Sequence, residues 1–305
     1  MFRIFYANPT IDKTVRFHEF HIGATNRPYE INSIGAGKPL NLASTLKKLN
    51  AELFLHGFLF SGNAQMIEER LNNERISYSL KSYPGMARIN TKLFDASCSV
   101  VTEINEYGDS LDENAAEEVI TAYLHSLKSE DIAVLAGSVS KGLPKDCYAR
   151  IAAFCSENSI PFFIDAEGES LRTALSYEPL LIKPNAYEFS LLCGKEILSA
   201  DDVLPVLPLF KDKARNICVS LGDMGAVYFD GKDAYFAEAL PLNIKTTVGA
   251  GDAMAAGLLF GLSNGYSSLE ILKLGMACSA AQIEANVQPI ANYMGKIFVR
   301  KVFCI

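Results

Sequence analysis

The sequence has no Cys-x-x-Cys pair, no histidine spacing suited to a metal, no excess of positive charge and no apolar run long enough to cross a membrane. Each absence removes a class of function. The seven cysteines, at positions 98, 147, 155, 193, 218, 278 and 304, are odd in number and scattered. That excludes a disulfide framework and a structural zinc site, and they read as free thiols in a reducing cytoplasm. The four histidines, at 18, 21, 56 and 125, read as structural. With 28 basic against 35 acidic residues the net charge is −7, which argues against nucleic acid or an anionic membrane as partner and favours a small ligand. The opening MFRIFYANPT carries neither a long apolar core nor a cleavage site, so a soluble, cytoplasmic protein is expected. Internal repeats, low-complexity tracts and linkers are missing too.

What remains is 305 residues, 49% hydrophobic and 21% charged, enough for one large core with a small appendage. Arg3 to Ala7 reads as a buried strand stopped by Asn8-Pro9. Residues 11 to 33, with aromatics at Phe17, Phe20 and Tyr29, alternate weakly and suit short strands on a half-exposed sheet, as do residues 76 to 106. Leu53 to Phe60 reads as a strand and Ala64 to Leu71 as a helix. Regular alternation then predicts helices over 111–127, 144–157, 168–175 and 186–193, separated by strands over 132–136, 161–165 and 180–183. Such βα units with continuously apolar strands mean a parallel sheet covered on both faces, an α/β fold. Strands over 217–221, 226–229 and 234–237 follow, the last two joined as a hairpin by Asp230-Gly231. Helices over 250–262 and 268–285 close the core.

Two glycine-rich stretches run into helices. Gly35-Ala36-Gly37-Lys38-Pro39 is not a P-loop, because position 32 is Asn where that pattern needs Gly and Pro39 replaces the Ser or Thr. In the second, Thr246-Thr247-Val248-Gly249-Ala250-Gly251-Asp252, the turn of Gly249, Ala250 and Gly251 exposes unpaired N–H groups at the positive end of a helix, a site for a phosphate. Asp252 at its mouth has two open roles: it caps the helix, or it takes a proton from a hydroxyl about to attack that phosphate. Ligands of such sheets bind outside the carboxyl ends of the strands, and Asn8, Asp12, Gly137-Ser138, Lys183-Pro184-Asn185 and Ser220-Leu221-Gly222 all fall on that rim.

The stretch Thr246 to Gly257 resembles the C-terminal signature of the PfkB family of ribokinase-like sugar kinases, whose core is Gly-Ala-Gly-Asp, and Ala36 to Asn41 is similar to its N-terminal Gly-Gly-Lys-Gly-x-Asn signature. Asn8 to Asp12, Thr25-Asn26-Arg27, Ala87 to Asn90, Thr102 to Asn105, Gly137-Ser138, Lys183 to Glu188 and Ser220 to Gly225 extend the likeness. In that order they resemble the branch with 1-phosphofructokinase and tagatose-6-phosphate kinase.

The resemblance implies a ribokinase-like αβα sandwich in a single domain, residues 1–305, with segments 10–34 and 87–107 forming a small β-sheet lid. It implies that Asp252 is the general base and that the N–H groups of residues 249–252 stabilise the transferring phosphoryl group. Asn185 and Glu188 match the pair that places Mg²⁺ through water, and Lys183, Ser220, Gly222, Gly225 and Thr247 the ATP site. Asp12, Gly37 and Asn41 match sugar contacts, and Arg27, Lys38, Arg88 and Ser138 suit the phosphate of a sugar phosphate. The bland alternatives stay open: a helix start at Lys38 and Asn41, a solvated helix residue at Glu188, and surface charges at Arg27 and Arg88.

Four departures bear on the substrate. Pro39 stands where the family has glycine, and it should push Lys38 toward extended geometry. Ala36 replaces the first glycine. Asp165-Ala166-Glu167-Gly168 differs from the usual Asp-Thr-Ser-Gly, and Ser140 stands for a Pro. The expected activity is ATP-dependent phosphorylation of fructose 1-phosphate, with tagatose 6-phosphate second. A sugar-phosphate-binding regulator without catalysis is the alternative from another class. An apolar lid face bearing Phe17, Phe20 and Tyr29 suggests a homodimer paired through the lid.

Overall fold

A computed structural model describes residues 1–304. In chain order the elements begin with β1 (Phe2–Tyr6), β2 (Thr10–Phe17), β3 (Glu30–Ala36), α1 (Lys38–Lys48), β4 (Leu53–Phe60), α2 (Gln65–Asn73), β5 (Tyr78–Tyr83), β6 (Arg88–Asp95) and β7 (Val100–Asn105). They continue with α3 (Glu113–Ser126), β8 (Ile132–Ala136), α4 (Cys147–Glu157), β9 (Phe162–Asp165), α5 (Gly168–Ala174), β10 (Leu181–Ile182), α6 (Ala186–Cys193) and α7 (Ala200–Val203). The last are β11 (Ile217–Ser220), β12 (Ala226–Phe229), β13 (Asp233–Ala237), α8 (Ala250–Ser263), α9 (Ser268–Ile283), α10 (Ile290–Met294) and β14 (Val299–Cys304).

Ten strands form one sheet in the order β14-β13-β12-β11-β10-β9-β8-β1-β4-β5. Pairing is parallel from β5 to β11, and β12, β13 and β14 add antiparallel at one edge. The central strands bury both faces, as their runs Val134-Leu135, Phe163-Ile164 and Leu181-Ile182 require. Helices α1, α8, α9 and α10 touch in series, and so do α3, α4, α5 and α6, giving a layer on each face.

Besides the short helices α7 and α10, which the sequence reading did not include, two strand assignments differ from it. β5 belongs to the large sheet beside β4, not with the neighbouring stretches that form the small one. β14 went unpredicted: Val-Arg-Lys-Val-Phe-Cys is a short edge strand held by one neighbour, β13, and its two adjacent charges blur the alternation. Pro39 also has a milder effect than expected. Lys38 is already the first residue of α1, and the missing N–H of Pro39 falls in the first turn, where it has no intrahelical acceptor to lose.

The small sheet has the order β3-β2-β6-β7. Its register sets Asp12, Asn90 and Asn105 side by side on one face. Of the aromatics expected on its open face, Tyr29 is exposed and Phe17 is not. Phe17 is 5% exposed, with its ring 5.2 Å from that of Phe20, and Tyr29 stacks on His18. Ile31, Ile34, Val100, Val101 and Ile104 are exposed as well.

The strands of this sheet are pinned where they leave the core. The buried phenol of Tyr6 accepts from the Thr10 N–H and donates to the Ala36 carbonyl. Asn63 holds Ala87 by both its N–H (2.7 Å) and its carbonyl (2.9 Å). Gly35 presses on α2 so closely that a Cβ there would lie 2.5 Å from the Ile67 Cα. Six cysteines, all but Cys304, are free thiols, and the side chain of Cys304 lies outside the described residues. Among the described residues no helix is long and apolar enough to cross a membrane.

The contact at Gly35 is with backbone, which cannot rotate away. Gly35→Ala is therefore expected to destabilise the protein by about 1–3 kcal/mol, read as a lower urea midpoint, and an unchanged midpoint would refute so close an approach of β3 to α2.

Candidate active site

Gly249 takes φ 75°, a left-handed conformation that turns the chain into α8 without a Cβ penalty. The loop before it is stapled to the end of α9: Lys245 and Thr246 donate to the Ile283 carbonyl, and Gln282 Nε2 donates to the Val248 carbonyl at 3.1 Å. The helix's first internal bond runs from Ala253 N–H to the Gly249 carbonyl. The N–H groups of Gly249, Gly251 and Asp252 have no acceptor among the described residues, which leaves an anion-binding helix terminus. The Lys183 ammonium stands 3.4 Å from where a Cβ on Gly251 would be.

Asp252 is 8% exposed and does not cap its helix. Its Oδ2 instead accepts from Asn41 Nδ2 of α1 at 2.9 Å, which removes the capping alternative. Burial pushes its carboxyl up to about 6, the nearby charge of Asp165 adds to that, and the Asn41 hydrogen bond with Lys38 and Lys183 works against it. Such a group is ionised at neutral pH yet basic enough to accept a proton.

Asp165, at the end of β9, organises the cations. Lys38 Nζ lies 3.0 Å from its Oδ1 and Lys183 Nζ 3.8 Å from its Oδ2. Burial opposes its charge, but the two lysines outweigh burial and hold the carboxyl below the usual carboxylate range. Burial likewise disfavours the Lys38 ammonium, and the charge and hydrogen bond of Asp165, then Asp252 and Glu188, more than offset it. The sequence marked Asp165 only as a departure from a motif; its place at a strand's carboxyl end on the common rim was the available signal.

Two cavities open near this cluster. One, of about 500 Å³, is lined by Asn8, Gly37, Lys38, Arg88, Asn90 and Ser138 among others. Ser138 Oγ accepts from Asn8 Nδ2 at 3.0 Å, and Arg88 Nε donates to Thr10 Oγ1 at 2.9 Å. Asp12 faces Lys92 at 3.4 Å and Asn90 at 3.3 Å, and Asn90 Oδ1 is buried with no partner, an acceptor that suits a ligand hydroxyl. Asn90 and Asn105 entered the sequence reading only as ends of family-like stretches, and Lys92 not at all, because polar residues on a strand look like ordinary surface until the register shows which face they share.

The second cavity, of about 430 Å³, is lined by Asn185, Ser220, Gly222, Gly225, Thr247, Ala250 and Gly251 at one end. Leu240, Leu242, Ile244, Met276, Ile283 and Ile297 form its apolar end, which suits a flat aromatic base. Arg27 joins neither cavity. It lies exposed between β2 and β3.

Asn185 and Glu188 form a reciprocal capping box: Asn185 Oδ1 accepts from the Glu188 N–H and Glu188 Oε2 from the Asn185 N–H, both at 2.8 Å. Among the described residues no three His, Cys, Asp or Glu side chains converge on a metal position. One free carboxylate oxygen on Glu188 suits a hydrated divalent ion that takes its inner ligands from phosphate and water.

A sequence model described as pfkB family carbohydrate kinase matches residues 8–287. The 1-phosphofructokinase of Bacillus subtilis (strain 168) is 31% identical over 278 residues, covering 90% of this chain and 89% of the relative. The tagatose-6-phosphate kinase of Staphylococcus epidermidis (strain ATCC 35984) is 30% identical over 271 residues, covering 87% and 86%. The crystal structure of phosphofructokinase-2 from Escherichia coli in complex with fructose-6-phosphate superposes with a TM-score of 0.87 at 21% identity, over 97% of this chain and 100% of that one. It shares the ribokinase-like fold.

Asp252→Asn tests the buried carboxylate twice. Phosphotransfer is expected to fall by about 10²–10⁴-fold. Stability should move the other way. The folded-state pKa of about 6 stands above the unfolded value, so the charge destabilises the fold above pH 6 and the penalty fades as pH falls toward about 4. In thermal denaturation at pH 8 the variant should gain about 1–3 kcal/mol over the parent, with the gain shrinking below pH 6. A gain of the same size at pH 8 and pH 4 would contradict the raised pKa.

Proposed function

The chain belongs to the pfkB family of carbohydrate kinases, and on that premise we propose that it phosphorylates a ketohexose monophosphate with ATP, converting fructose 1-phosphate to fructose 1,6-bisphosphate. Tagatose 6-phosphate, giving tagatose 1,6-bisphosphate, is the second candidate. The observation that carries the reading is Asp252, a buried carboxylate at a helix terminus with open N–H groups, with a polar, cation-lined cavity and a partly apolar cleft nearby.

In this reading adenine occupies the cleft walled by Leu240, Leu242, Ile244, Met276 and Ile297. Its phosphates pass Ser220, Gly222, Gly225, Asn185 and Thr247 to reach the start of α8 and Lys183. Asp12, Asn90 and Gly37 border the sugar, and Arg88, Lys38 and Ser138 meet its phosphate. Asp252 takes the proton of the attacking hydroxyl as that oxygen bonds the γ-phosphorus. The bond from γ-phosphorus to the bridging oxygen breaks, and ADP leaves. Mg²⁺, with Glu188 and Asn185 reached through water, supplies charge neutralisation on the phosphates when bound. The small sheet serves as a lid over one domain and keeps water from the γ-phosphate. Pro39 and Ala36 leave Asp252 and its partners in place, which favours an active kinase over a binding-only regulator. The free thiols suit a cytoplasmic enzyme.

A coupled ADP-release assay over phosphorylated and free ketohexoses is expected to show turnover on fructose 1-phosphate above tagatose 6-phosphate, and little on free sugars. Arg88→Ala should raise KM for the sugar phosphate by about 10–100-fold, since a charge-assisted contact is lost. Turnover only on a free sugar or nucleoside would reject the phosphate clamp, and calorimetric binding without ADP release would favour the regulator. We also propose a homodimer paired through the lid, whose outer face exposes Ile31, Val100 and Ile104. Sedimentation at micromolar concentration should show the dimer, and a monomer would rule it out.

A further inference from the structure

Arg70 lies on α2 and belongs to neither glycine-rich motif, yet its side chain is 14% exposed and its guanidinium makes four hydrogen bonds. Nε donates to Glu74 Oε1 at 2.9 Å and Nη2 to Ser44 Oγ at 2.8 Å. Nη1 donates both to the Gly35 carbonyl at 2.8 Å and to Asn41 Oδ1 at 3.0 Å. Glu74 is tied back to α1 by a hydrogen bond from Ser44.

The chemistry fixes how Asn41 must sit. A guanidinium has no acceptor, so the Asn41 atom that meets it is the carbonyl oxygen. That leaves the Asn41 NH₂ group, and not its oxygen, facing Asp252. Without Arg70 the amide would be held in that orientation from one side only, by Asp252 itself.

We infer that Arg70 is a positioning residue for phosphotransfer, acting through Asn41 to hold the Asp252 carboxylate in place and ionised. The inference rests on the reading of Asp252 as base. The charges that face Asp252 are Lys38 of α1, Lys183 after β10 and Asp165 of β9. Those that face Arg70 are Glu74 of α2 and Lys48 of α1, and the neutral, titratable Tyr6 phenol of β1 lies near it too. Among the described residues Arg70 alone donates to Asn41 Oδ1. The same Nη1 also grips the Gly35 carbonyl, so the root of the lid strand β3 and the orientation of Asn41 depend on one nitrogen.

The test is a double-mutant cycle in the full chain, with whichever sugar phosphate the parent enzyme turns over, following kcat and kcat/KM from pH 5 to 9. Arg70→Met is expected to lower kcat/KM at pH 7 by about 10–100-fold. It should also move the acid limb of the profile up by about one pH unit, because a carboxylate that loses a donated hydrogen bond holds its proton more tightly. Arg70→Lys should recover part of both effects. Asn41→Ala should reproduce the shifted limb, and adding Arg70→Met to it should change little further. A folded Arg70→Met with the parent's acid limb, or effects of the two substitutions that multiply, would overturn the inference. Should Arg70→Met fail to fold by circular dichroism, Arg70→Lys with and without Asn41→Ala makes the same comparison. Asp252→Asn run alongside separates the two levels: full activity there removes the base itself, whereas an inactive Asp252→Asn with an unmoved Arg70 limb removes only the role of Arg70.

Discussion

A carboxylate kept charged inside a protein is the constraint on which the rest of this molecule depends. Asp252 gains little from water, and the neighbouring Asp165 repels it. What keeps it ionised is a single amide donor on one side and two shared lysines on the other. Those partners come from α1, β9 and the segment after β10, so the site forms only when distant parts of the sheet have assembled. The sheet's length and the two helix layers can be understood as the frame that brings four short stretches of chain to one point.

The charge arrangement is economical in kind. Lys38 and Lys183 both face Asp165 and act on Asp252 as well, so at neutral pH the two lysines and two carboxylates balance before a ligand arrives, and neither lysine is left unpaired in a buried place. An arriving phosphate can draw on both without an unpaired ammonium having been buried beforehand. This is how a site stabilises an anion strongly without making the empty protein unstable.

Much of this was legible in the sequence because the relevant signals are local. The glycine at 249, the carboxylate three residues on and the apolar run behind them define a helix start in a dozen residues, and alternating βα units define the parallel sheet. Position 41 was legible as a polar site residue but not as the partner of Asp252, since 211 positions separate them. Arg70 could not be found at all from its neighbours: in α2 it looks like one more charged residue of an amphipathic helix, next to Glu68, Glu69 and Glu74. The Asn185–Glu188 spacing was read through a motif as metal chemistry, while the geometry shows that the same spacing also makes a capping box. Phe17 went the other way: an aromatic in a half-exposed strand was expected to be open, and Phe20 covers it.

The pinning of the small sheet at Tyr6 has a mechanical side. An eight-residue strand such as β2 spans about 26 Å, so a tilt of 10° about its fixed end carries the far end through about 4–5 Å but shifts Asp12, two residues along, by only about 1 Å. Leverage of that sort separates two duties along one strand. If the sheet moves as the proposed lid, side chains near the fulcrum would keep their aim while it tilts. Farther out, the same tilt would sweep enough space to admit or shut out a ligand, so changes in the hairpin tips would alter how fast molecules enter and leave and spare the residues near the fixed end.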